Sequence, residues 1–108
     1  MSLGPDTHSY KTLLAMAHLA AGRYEEAMGW IDQAVHERAG AVPAARLKAV
    51  LCGLLGRVEE GREWLGRLLQ LTADATIDRF NVQTSTFLAP EIRAAMAEGL
   101  RKIGLPEE

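Results

Sequence analysis

Histidine and cysteine are the first side chains of this 108-residue chain to consider as metal ligands. The three histidines, His8, His18 and His36, lack the His-x-x-x-His spacing of a helical metal site, so we expect them on the surface or in a groove. His18 and Cys52 lie 34 positions apart, but two ligands do not make a metal site. The sequence therefore predicts no bound metal.

Paired carboxylates and clustered glycines are the other candidates for catalysis or nucleotide binding. Glu25-Glu26 and Glu59-Glu60 fit the first turn of a helix, where the helix dipole favours negative charge. Gly53, Gly56 and Gly61 lack the lysine and hydroxyl of a phosphate-binding loop. We therefore expect neither enzymatic activity nor a cofactor.

Two tryptophans could stack on a ligand. Trp30 precedes Ile31, and Trp64 precedes Leu65. Because both tryptophans adjoin apolar residues of a helical stripe, we interpret them as packing residues.

A repeat of 34 residues organises the elements that must position these side chains. Gly22-Arg23-Tyr24-Glu25-Glu26-Ala27 recurs as Gly56-Arg57-Val58-Glu59-Glu60-Gly61, and this period is typical of helix-turn-helix solenoids. The pattern resembles the tetratricopeptide repeat, with five residues on its packing positions: Leu14, Ala15, Ala27, Ile31 and Ala34. The resemblance implies an all-α, antiparallel helix-turn-helix solenoid that binds partners and performs no chemistry.

Glycine and proline positions predict where the helices begin and end. Gly22 and Gly56 should end the first helix of each repeat, since glycine adopts a left-handed backbone at little cost. We expect repeats over residues 8–41 and 42–75, with the fourth helix running from Val58 to about Leu71. An atypical capping unit should follow over 76–104, and its last helix should begin at Pro90 and cover the apolar stripe of the fourth helix. Residues 1–7 are interpreted as a leader or expression remnant, and residues 105–108 as a tail.

The last stretch of the chain is similar to the ends of tetratricopeptide tails in bacterial adenylate or guanylate cyclase-like proteins. The similarity covers Pro90-Glu91-Ile92 and Glu98-Gly99-Leu100-Arg101-Lys102-Ile103-Gly104-Leu105-Pro106-Glu107. It implies that the chain is the C-terminal fragment of a longer signalling protein whose cyclase chemistry lies elsewhere.

Composition narrows the classes of partner. Apolar residues make up 48% of the chain, charged residues 24%, and the net charge is −2, so nothing favours nucleic-acid binding. The longest apolar run, Ala49 to Leu55, is too short to cross a membrane. Cys52 is the only cysteine, so we expect no internal disulfide and a cytoplasmic location.

The preferred function is a protein–protein interaction scaffold that holds a protein or peptide on its concave face. The repeat register places six residues in this groove: Thr12, Met16, Leu19, Arg46, Val50 and Leu54. The alternative is a regulatory module that senses a small molecule or dimerises, and so controls an upstream cyclase or transcription-factor domain. A homodimer would form through the bare face of the first helix, with Leu13, Met16, Ala17 and Ala20.

Overall fold

A computed structural model of the chain describes residues 7–38 and 40–108. The described residues form six helices and no strand, which confirms the all-α class. The helices are α1 (Thr7–Ala20), α2 (Tyr24–Glu37), α3 (Val42–Leu54), α4 (Val58–Leu71), α5 (Ile77–Thr84) and α6 (Pro90–Lys102). Thr7, assigned to the leader from sequence, begins α1, and the rest of that leader lies outside the described residues.

Two matching turns create the helix pairs α1–α2 and α3–α4. Gly22 and Gly56 have φ of 79° and 77°, the left-handed conformation predicted for them. In each turn the following arginine donates its backbone N–H to a carbonyl five residues earlier, Arg23 to His18 and Arg57 to Cys52, both at 2.8 Å. These bonds satisfy carbonyls at the helix end, so the repeated sequence produces repeated geometry.

The core lies between the two helix pairs and under α6. The packing positions predicted on α2 are buried: Ala27, Ile31 and Ala34 are each 0% exposed. The other large, fully buried side chains come from α3 to α6 and the residue after α6: Leu51, Leu68, Ile77, Leu100 and Ile103. Burial of such side chains supplies most of the driving force for folding.

The short helix α5 is joined to the end of the chain. Thr76 caps α5, because its hydroxyl oxygen accepts a bond from the backbone N–H of Arg79 at 3.1 Å. The N–H of Ile77 then donates to the carbonyl of Pro106 at 2.9 Å, and Leu105 is only 5% exposed. Residues 105–107, assigned to the tail from sequence, therefore pack as part of the domain.

Helix α6 packs mainly on α3. The predicted position of this last helix over α4 is therefore wrong. Contact with α4 is made by Ile103, the residue directly after α6, whose side chain would collide with a Cβ atom added to Gly61. No helix within the described residues is long and apolar enough to span a lipid bilayer.

Candidate functional site

The six residues of the predicted concave groove do not form an open surface. Val50 is fully buried and Leu19 is 3% exposed. Thr12, Met16, Arg46 and Leu54 are each partly buried. A partner cannot contact Val50 or Leu19 without displacing other parts of the fold. The structure therefore contradicts the predicted binding groove.

Helix α6 covers the α3 side of this groove. A Cβ atom placed on Gly99 would lie 2.5 Å from the carbonyl oxygen of Val50 and 3.1 Å from Cγ of Leu54. The two helix backbones therefore touch where Gly99 meets Gly53, because neither glycine has a side chain to keep them apart. Since α6 carries an apolar stripe that must be buried, this contact fills the face that sequence reasoning left for a partner.

The outward-facing side of α1 is an exposed apolar surface. Tyr10 is 60% exposed and Leu13 is 69% exposed, and Ala17 and Ala20 on the same side are also exposed. We call these four residues the outer α1 face. Met16, which the sequence analysis placed on this face, instead packs against the core.

A cleft adjoins the outer α1 face near the start of α3. Its volume is about 370 Å³, and its lining includes Thr12, Leu13, Ala41, Pro43 and Ala44. The hydroxyl of Thr12 donates to the carbonyl of His8 at 2.8 Å. The hydroxyl hydrogen of Thr12 is therefore already used within α1. The outer α1 face therefore continues into a mostly apolar recess.

Arg46 lies in a separate pocket between α3, α4 and α5. The pocket has a volume of about 80 Å³. The guanidinium carbon of Arg46 lies 5.3 Å from the ring centroid of Phe80, and Nη1 donates to the side-chain oxygen of Gln83 at 3.5 Å. Burial lowers the pKa of Arg46, because desolvation disfavours the charged form. We call this cavity the Arg46 pocket.

Lys48 is a buried charge that sequence reasoning missed. Its side chain is 5% exposed, forms an ion pair with Asp32 of α2, and lies 2.9 Å from Glu60 of α4. Lys48 lies 34 residues after Leu14. A lysine at a repeat position that is apolar in the first repeat was the sequence feature that could have identified this buried charge. Burial acts to lower the pKa of Lys48, but the two carboxylates outweigh it and raise the pKa overall. This cluster ties three helices together.

His18 and Cys52, which were considered first as metal ligands, make structural contacts instead. His18 accepts a bond at Nδ1 from Nε of Arg23 at 2.9 Å. Cys52 is fully buried, and burial, aided by the charge of Glu60, raises the pKa of its thiol to about 11. No group of three or more metal-ligating side chains occurs among the described residues.

The two tryptophans pack as predicted. Trp64 is 8% exposed, with the guanidinium of Arg67 placed 4.4 Å from its ring centroid. Trp30 is partly buried and packs against the core.

No protein-family model matches this chain, and searches of curated proteins and of solved structures find no significant match.

Proposed function

We propose that this chain is a non-catalytic protein-interaction module of tetratricopeptide-like repeats, and that a helical partner docks on its outer α1 face. The proposal replaces the concave groove as the binding surface. It rests on the difference between equivalent residues of the two repeats.

The difference appears when residues of the outer α1 face are compared with the residues 34 positions later, on α3. Tyr10 and Leu13 are largely exposed, whereas the equivalent Ala44 and Leu47 on α3 are 0% and 3% exposed. Helix α3 lies among its neighbours, since α4, α6, α2 and, to a smaller extent, α1 pack on it. A repeat stacks on neighbours through the same faces, so the outer α1 face has the chemistry to receive another helix or helix pair.

A second copy of the chain is the partner that this surface can bind without any other protein. A two-fold dimer uses one patch twice, and Leu13 at its centre would contact the partner's α1. The opposite, head-to-tail arrangement is disfavoured because α6 already covers α3. The outer α1 face is small, so we expect a weak dimer in the class of interfaces that bury less than about 1,200 Å².

The similarity of the last segment to cyclase-like tails favours a bacterial cyclase-like signalling protein in the cytoplasm as the setting. In that setting, pairing through α1 would bring two upstream domains together. Such pairing would couple association of the module to the activity of those domains.

Light scattering after size-exclusion chromatography tests the proposal, with protein loaded from about 10 µM to about 1 mM, a range suited to weak association. We expect the mass to rise with concentration for the unmodified chain. Leu13→Glu should remain monomeric, because it places a charge at the centre of the interface. Val82→Glu is the matched control, since Val82 is also exposed, at 74%, but lies on α5. A monomer at all concentrations, or a dimer indifferent to Leu13→Glu, would refute self-association through this face.

A further inference from the structure

We propose that the Arg46 pocket binds the carboxylate of a small organic acid. This ligand site is independent of the outer α1 face, because it lies between α3, α4 and α5.

The first argument is the shortage of partners for the guanidinium of Arg46. Within residues 7–38 and 40–108, Arg46 forms no ion pair. Among the described residues its side chain hydrogen-bonds the neutral amide of Gln83, and this bond is long at 3.5 Å. The ring of Phe80 contacts the guanidinium through its π face, which leaves N–H donors in the guanidinium plane. A planar carboxylate matches such donors in a bidentate pair.

The other charged residues that line the pocket, Asp74 and Arg79, are paired with each other. Asp74 is the one carboxylate in its lining, and that carboxylate is already occupied. Its Oδ2 lies 3.2 Å from Nη1 of Arg79, and its Oδ1 accepts the hydroxyl of Thr72 at 3.1 Å. Asp74 and Arg79 therefore balance each other, and the charge of Arg46 remains uncompensated. The lowered pKa of Arg46 agrees with a desolvated cation that an anion would stabilise.

A second hydrogen-bond donor is available for the ligand. The hydroxyl oxygen of Thr76 accepts the N–H of Arg79, so its own hydrogen is left as a donor. The first amides of α5 do not contribute, because Ile77 and Asp78 donate to the carbonyls of Pro106 and Glu107, each at 2.9 Å. Recognition of the carboxylate therefore rests on Arg46, supported by Thr76.

The size and walls of the pocket define the rest of the ligand. A volume of about 80 Å³ corresponds to a few water molecules at about 30 Å³ each, which suits an acid of about two to four carbons. The remaining walls include apolar side chains: Val42, Leu68, Phe80, Leu100 and Leu105. An acid with a short alkyl chain would place its carboxylate at Arg46 and its carbons against these walls.

Nuclear magnetic resonance titration of the ¹⁵N-labelled chain with propionate tests the proposal. At constant ionic strength, we expect saturable shifts of the amides of Thr76 and Gln83. Propionamide has nearly the same shape without the charge, and it should cause no saturable shift. Inorganic phosphate should bind more weakly than propionate, because a tetrahedral anion matches the planar guanidinium and the small cavity less well. Equal binding of phosphate would overturn the assignment to a carboxylate.

Variants of the arginine complete the test. Arg46→Gln should weaken propionate binding by about tenfold or more, since it removes the charged donors, and Arg46→Lys should bind with intermediate affinity. Arg67→Gln is the control, because Arg67 is also an arginine over an aromatic ring, but its ring is that of Trp64, outside the pocket. The spectrum of each variant without ligand reports whether it is folded. Unchanged binding in folded Arg46→Gln, or no saturable shift with the unmodified chain, would refute the proposal.

Discussion

Replacement of Gly99 by alanine tests the contact between α3 and α6. The added Cβ atom would lie 2.5 Å from the carbonyl oxygen of Val50. A Cβ atom essentially never lies within 3.0 Å of such an atom, and ordinary contact begins at 3.4 Å, so the helices must separate by roughly 0.5–0.9 Å. A gap of about 0.5–1 Å forfeits a quarter to a half of the dispersion energy of the atoms concerned.

The side chains of α6 that would lose contact are large and buried. Met96 and Leu100 are 3% and 0% exposed, and Ile103, directly after the helix, is 1% exposed. Burial of each is worth about 1.5–3 kcal/mol, so losing a quarter to a half of it on three residues costs about 1–4.5 kcal/mol. Alanine returns up to about 1 kcal/mol through its higher helix propensity. We therefore expect Gly99→Ala to lower the free energy of unfolding by about 1–3 kcal/mol, in the range of overpacked cores.

Equilibrium unfolding in urea measures this change, with the midpoint and slope followed by circular dichroism. Gly66→Ala is the matched control, because Gly66 is also helical and has nothing within 4 Å of an added Cβ atom. That control should be up to about 1 kcal/mol more stable than the unmodified chain. If Gly99→Ala is as stable as Gly66→Ala, then α6 does not pack on α3 through this glycine.

Three further predictions concern the buried titratable groups Lys48 and Cys52. Lys48→Met should lower the free energy of unfolding by only about 1 kcal/mol, because the carboxylates left behind are half-exposed. The double variant Asp32→Asn, Glu60→Gln should lower it more, since it leaves a buried ammonium without a counter-charge. Urea unfolding measures both variants, and the reverse order of stability would contradict this prediction. The pKa of Lys48 is raised in the folded state from its ordinary value of 10.5. Its contribution to stability is therefore present below pH 10.5 and is lost as the pH rises through the folded pKa. Urea unfolding at pH 7 and above pH 10.5 would detect this loss. With its thiol buried and its pKa raised to about 11, Cys52 should react with iodoacetamide at pH 8 much more slowly in the native protein than in denaturant; equal rates would show an accessible thiolate.

Local sequence features predicted the helices and turns well because their causes lie within a few residues. The bounds predicted for α4, Val58 to Leu71, agree with the structure. Gly22 and Gly56 end their helices with positive φ, and Gly104, with φ of 103°, does so after α6. Each of these features depends on one backbone conformation and on hydrogen bonds close in sequence.

The candidate sites were less predictable because they depend on contacts distant in sequence. Arg46 was assigned to an open groove, but α5 closes a pocket around it through Phe80 and Gln83. Lys48 occupies an apolar position of the repeat, and its two carboxylates come from helices on either side in the chain. Hydrophobic periodicity does not identify which polar partner will lie across a helix interface.

The amino-acid sequence by itself determined that this chain forms helix hairpins with a 34-residue period, because glycine turns and apolar stripes act locally. Only the tertiary structure decided which surface remains open. The apolar stripe of α6 could have been buried on either α3 or α4, and the close approach of Gly53 and Gly99 placed it on α3. Since one face of a helix can be covered only once, that choice filled the concave groove, whereas Tyr10 and Leu13 of the outer α1 face stay exposed.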